Sequence, residues 1–107
     1  HHEQVRGDAM RRRPSPWIAT RANHLDVFPE CRVCGVITPS NHVHHLRYRG
    51  QRGTSERPGD LVTLCPEDHN ALHAALGQRG LAVAPQIDWI ARSREAHAMI
   101  LSLDAVS

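Results

Sequence analysis

His69 and His73 stand four residues apart, and His44 and His45 stand side by side behind His42. On a helix, positions i and i+4 lie one turn apart on the same face, so His69 and His73 can grip one ion between them. A third imidazole from the His44 and His45 pair would complete a three-histidine metal site and leave the other ring free. Three protein ligands with an open position is a hydrolytic arrangement. The ion stabilises developing charge on oxygen, while a free imidazole, with an ordinary pKa near 6.5, takes a proton from water. Spacing does not choose which of the two is the ligand. Neighbouring residues on a regular strand point to opposite faces, so both can serve one site only where the strand ends or twists. His42 and His44, which share a face, are the other pairing. Surface histidines on a His-rich chain are the competing account of His69 and His73.

A second donor set begins at Cys31-x-x-Cys34, with Gly35 behind it and Cys65 far along the chain. Three cysteines cannot all pair, and with no secretion signal in view the knuckle favours a metal over a disulfide. A thioredoxin-like redox pair would need a strand and a long helix around it, and neither surrounds these residues.

The elements that must position these groups follow from the pattern around them. Ser15 and Pro16 suit the N-cap and first position of a short amphipathic helix carrying Trp17, Ile18, Arg21, Ala22, Leu25 and Phe28, which ends before Pro29. Residues 41 to 48 read as a strand, residues 49 to 60 as a loop rich in Gly, Pro and Arg, and residues 61 to 65 as the antiparallel partner. Pro66 opens a helix with Glu67 and Asp68 near its positive dipole end, and Gly77 caps it. Residues 86 to 104 carry an apolar stripe and are expected to pack back on the core. Trp17, Phe28 and Trp89 are expected in that core, because few aromatics are available to build one. Tyr48 is expected to pack under the loop, and His97 reads as an ordinary helix histidine.

With 107 residues the chain suits one domain, expected over 15–107, with 1–14 as a polar arm ending in Arg11, Arg12 and Arg13. His1 and His2 are set aside as the remnant of a purification tag. The formal charge of +2 says little about partners, but all 13 basic residues are arginine, which removes lysine nucleophiles and suits bidentate phosphate contact. Codon bias from a GC-rich genome explains the arginines equally well. No stretch approaches a membrane span, so a soluble, intracellular (cytoplasmic) protein is expected.

Cys31-x-x-Cys34, the "VHHLRY" segment, "DLVTLC" at 60 to 65 and "HNALH" at 69 to 73 together resemble the HNH endonucleases, the ββα-metal (His-Me finger) nucleases common in phages and mobile elements. The resemblance covers about residues 31 to 73, with the motif core reaching 77, and implies an α+β fold. It implies that His44, His69 and His73 hold one divalent ion, Mg²⁺, Mn²⁺, Ni²⁺ or Zn²⁺, and that His45 activates the water attacking a DNA phosphodiester. The implied products carry a 5′-phosphate and a 3′-hydroxyl.

Two positions depart from the family's pattern. A second C-x-x-C would need Cys at 68, where this chain has Asp68. Zinc accepts a carboxylate oxygen, so Cys31, Cys34, Cys65 and Asp68 are the expected structural zinc site, with His24 or His42 as substitute ligands. Asp60 stands where the family's Asn often falls; it can accept the hydrogen bonds that fix the loop and support His45, but cannot donate as an amide does. Arg47, Arg49, Arg52 and Arg57 flank the site on the hairpin and are the expected phosphate contacts. The first reading is therefore a metal-dependent DNA endonuclease. A non-catalytic zinc-stabilised nucleic-acid-binding module and a small zinc-dependent protein-interaction domain are the alternatives.

Overall fold

A computed structural model describes residues 15–106, so the expected arm over 1–14 lies outside the described residues. Among these, three helices and one two-stranded sheet form a small α+β fold: α1 (Pro16–Val27), β1 (His42–His45), β2 (Leu61–Leu64), α2 (Pro66–Leu76) and α3 (Val83–Val106). The strands pair antiparallel with His44 opposite Val62 and His45 opposite Leu61, and β2 runs straight into α2. This order is the expected ββα arrangement.

Local chemistry explains each boundary. Ser15 caps α1 by accepting from the Ile18 amide, and Pro16 follows where its missing N–H costs nothing. Cys65 caps α2, its sulfur accepting from the Asp68 amide at 3.4 Å. Gly77 ends that helix at φ 108, a region L side chains avoid. α3 starts three residues before the expected 86, and Pro85 sits in its first turn, where an unpaired amide is the rule, so the proline does not delay the helix.

The core is small and lies between the sheet, the knuckle and α2. Leu64 and Leu72 are fully buried, joined by Val33, Leu46 and Ile90 and by two of the cysteines, Cys31 and Cys65. Asn41, itself buried, donates to the carbonyls of Pro29 and Val36, both at 2.9 Å, and so ties the knuckle to the start of β1. Trp89 packs against the core as expected, and Trp17 is half-buried. Phe28 corrects the expectation: it is 56% exposed, because α1 ends on it and its ring meets that of His24 at the edge of a cavity.

The strand is shorter than residues 41 to 48: the ladder ends at His45 and Leu61, with one further in-register bond from the Leu46 amide to the Asp60 carbonyl at 2.8 Å. Beyond it the loop leans on α1. Gly53, at φ +97, comes so close that an added Cβ would sit 2.2 Å from the Trp17 nitrogen, and Thr20 donates to its carbonyl. Only glycine fits there.

Candidate active site

Helix α2 carries both donor sets on adjoining faces. Cys65 and Asp68 meet Cys31 and Cys34 on one face, while the next residue, His69, turns with His73 toward His44. In each set the donor atoms lie within 4.8 Å of one another.

In the histidine set, His69 Nε2 stands 3.2 Å from His44 Nδ1 and 3.2 Å from His73 Nε2. A tetrahedral ion with metal–nitrogen bonds of roughly 2.0–2.1 Å has edges of about 3.3 Å, so the donors fit one zinc-sized dication. The outward nitrogens are engaged as well. His73 Nδ1 lies 2.8 Å from the Gly77 carbonyl, to which it donates, leaving Nε2 as a bare lone pair pointing inward. His69 Nδ1 faces His42 Nδ1 at 2.9 Å, and His44 Nε2 faces Gln86 Oε1 at 2.6 Å. His42 therefore backs His69 rather than replacing His44 as a ligand or substituting in the cysteine cluster. Burial, and then the neighbouring His44, His42 and His73, pull the His69 pKa down to about 4. Burial likewise lowers His44. Both shifts favour the neutral ring, which keeps one proton and one lone pair.

His45 is the last residue of β1, which is the strand end that a shared site requires. It lines, with His44, His69 and His73, one cleft of about 1030 Å³. Its ring is stacked on Tyr48 (centroids 4.4 Å apart, planes 13° apart) and lies 4.5 Å from that of Trp17. Tyr48 is thus not packed under the loop; it is 72% exposed and covers His45 from outside. His45 Nε2 is buried and makes no hydrogen bond, and the Glu56 carboxylate stands 3.6 Å away. Burial lowers the His45 pKa; Glu56 opposes the shift and Arg52 adds to it.

Asp60 accepts hydrogen bonds that fix the loop, as expected, and its charge acts with that of Glu56 against the lowering of the His45 pKa. Its Oδ2 accepts from Arg49 Nε at 2.7 Å and from the Arg57 amide at 2.8 Å, closing the loop base. Those two bonds hold its carboxyl below the usual range. The carboxylate beside His45 is Glu56, which also accepts from the Gly53 amide. Periodicity carries no sign of Glu56, because the loop's fold brings it there.

The arginines divide. Arg47 and Arg52 line the histidine cleft, with the Arg52 guanidinium 5.4 Å from the centre of the Trp17 ring. Arg49 is tied to Asp60, and Arg57 lines a separate cavity beside the knuckle. Arg79, in the turn between α2 and α3, lines the histidine cleft and was not expected.

In the cysteine set, Asp68 Oδ2 lies 3.1 Å from both Cys31 and Cys65 sulfurs, and Cys34 and Cys65 sulfurs are 3.9 Å apart. About 3.8 Å separates sulfurs around a tetrahedral ion with roughly 2.3 Å bonds, so four donors close around one zinc-sized centre. The knuckle turn is set by Gly35 N donating to Cys31 O at 2.8 Å. Burial is the main cause that pushes the Cys65 thiol up to about 12 and raises Cys34. Buried thiols need a cation to ionise.

Residues 30–75 match the family model of the HNH endonucleases, the family whose motifs the sequence resembles. No curated protein and no solved structure gives a match. Among the described residues, no helix is long and apolar enough to cross a membrane.

Proposed function

Because residues 30–75 carry the HNH endonuclease pattern, we propose that the chain is a metal-dependent endonuclease that hydrolyses phosphodiester bonds in DNA. One observation carries this reading: three inward imidazole nitrogens converge on a cleft that His45 also lines. A divalent ion held by His44, His69 and His73 would supply positive charge to the phosphate and to the leaving 3′-oxygen. The all-nitrogen donor set suits Zn²⁺ or Ni²⁺ better than Mg²⁺.

The chain's own groups supply the rest. His45 takes the proton of the attacking water. Its Nε2 is buried against Glu56, so Nδ1 is the nitrogen left for water, and the Glu56 charge favours the imidazolium that forms. Trp17 and Tyr48 fix the plane of the ring. Arg47, Arg52 and Arg79 hold phosphates on either side of the cut, while Arg49, Arg57 and Asp60 hold the loop in shape. Cys31, Cys34, Cys65 and Asp68 hold a structural zinc.

Supercoiled plasmid incubated with Mg²⁺, Mn²⁺, Ni²⁺ or Zn²⁺ tests the reading. Nicking or linearisation is expected from the wild type with at least one ion and is lost in His45→Ala, which still retains DNA in a salt-sensitive way. Retention without cutting under every ion would overturn the proposal in favour of a binding module.

A further inference from the structure

Gln86 lies in the first turns of α3, outside the span that matches the family, and it is the most deeply buried polar side chain near the cleft, 1% exposed. Its amide orientation is forced. The nitrogen sits 3.0 Å from the Leu46 carbonyl and 2.9 Å from that of Ala82, where only a donor can stand. The oxygen is therefore the atom that meets His44 Nε2 at 2.6 Å, and this contact is a hydrogen bond only if Nε2 carries the proton. A neutral imidazole has one proton, so His44 Nδ1 is left bare, and Nδ1 is the nitrogen that faces His69 and the cleft.

We propose that Gln86 is a positioning residue that locks His44 in the tautomer whose free lone pair points at the ion. The inference rests on the three-histidine ion site proposed above. Without Gln86, His44 would be free to put its proton on Nδ1, in the very place the ion must occupy, and nothing else on the sheet holds Nε2. The bond from Gln86 to Leu46, the residue after His45, also ties α3 to the end of β1 that presents both histidines. Outer partners of metal-bound imidazoles are typically worth 10- to 100-fold in affinity.

Two measurements on the full chain test this. In ¹⁵N-labelled, metal-free wild type above neutral pH, long-range proton–nitrogen correlations should show His44 as the Nε2–H tautomer; a dominant Nδ1–H form would overturn the proposal. In protein given one equivalent of Zn²⁺ for the thiolates, a calorimetric Ni²⁺ titration should show one further site, absent from His73→Ala. Gln86→Leu, similar in shape, should bind that Ni²⁺ at least about tenfold more weakly while its helical circular dichroism is unchanged. Wild-type affinity in a folded Gln86→Leu would overturn the inference alone, whereas Ni²⁺ binding that survives His73→Ala would overturn the ion site beneath it. If the leucine variant does not fold, the wild-type tautomer decides.

Discussion

The two donor clusters share one helix and differ in what closes them. Cys65, the N-cap of α2, and Asp68, three residues on, meet two more donors from the knuckle, so four donors surround one point, enough to fill a tetrahedral ion. His69 and His73, four apart, share their inward nitrogens with one further donor, His44, and the remaining side gives onto the cleft with His45. Charge separates them further. Three thiolates and a carboxylate leave a bound dication net anionic, which repels phosphate, whereas three neutral imidazoles leave its full charge for an incoming phosphodiester. A closed, anionic centre suits holding a fold together, and an open, cationic one suits chemistry. Two of the core's few buried apolar residues are cysteines of the closed cluster, so an ion held there would bear directly on stability.

The sharpest way to break that contrast is to remove one ligand from each side. Cys34→Ala should abolish the cooperative thermal transition or lower it drastically, since binding energy at a structural zinc, roughly 10–16 kcal/mol in small zinc-dependent folds, is folding energy. His73→Ala should melt close to the wild type in zinc-replete buffer yet lose the second ion and all cleavage. Equal melting temperatures for the two variants would erase the distinction between structural and catalytic centres.

Within the open cluster, Glu56 sharpens the account of His45. Its charge raises the His45 pKa against the lowering by burial and Arg52. Glu56→Gln should therefore move the acid limb of the cleavage rate to lower pH and slow the plateau by about tenfold, a modest share of what general-base catalysis contributes. Ni²⁺ affinity should be unaffected. An unmoved pH profile would mean that Glu56 serves only the Gly53 turn.

Which parts of this were legible in the sequence follows from the range of the forces involved. The i, i+4 histidines are set by local periodicity, and the structure brings them to one cluster; Asp68 joins the cysteines at the position the family resemblance implies, and His45 ends a strand that the sequence pattern carries on to residue 48. Gln86 and Glu56 reach the histidines only through tertiary folding, from α3 and from the loop, and neither has a spacing signal. Arg49 and Arg57 looked equivalent to Arg47 and Arg52, but Asp60 draws Arg49 and the Arg57 backbone into the loop base. Phe28 was misjudged because scarcity of aromatics says what a core needs, not which rings the chain can turn inward.

Acid should act on the open cluster next. With the His69 pKa near 4 in the folded, metal-free protein against an ordinary 6.5, the unfolded chain binds more protons between those values. Stability therefore falls as pH drops from about 6.5 toward 4 and levels off below. Urea midpoints of metal-free protein across that window should show the slope, and His69→Gln should flatten it. A slope that persists unchanged in that variant would place the linkage elsewhere.

The smallest effect is expected at the one donor that is not sulfur. Asp68 Oδ2 already stands 3.1 Å from two thiol sulfurs, and its backbone amide already donates to Cys65 Sγ, so the helix turn is shaped for a ligand at this position. Thiolate is the better ligand for zinc than carboxylate, and the longer zinc–sulfur bond offsets part of the shorter reach of cysteine. Asp68→Cys should therefore hold zinc about tenfold more tightly in competition with a chelator and melt slightly higher. Cleavage should be unchanged, because His69 is carried on the adjoining face of α2 and keeps its own partners. Weaker zinc in Asp68→Cys would mean that the carboxylate's reach, not its chemistry, is what the closed cluster requires. A loss of cleavage without loss of zinc would show that the two faces of α2 are coupled after all.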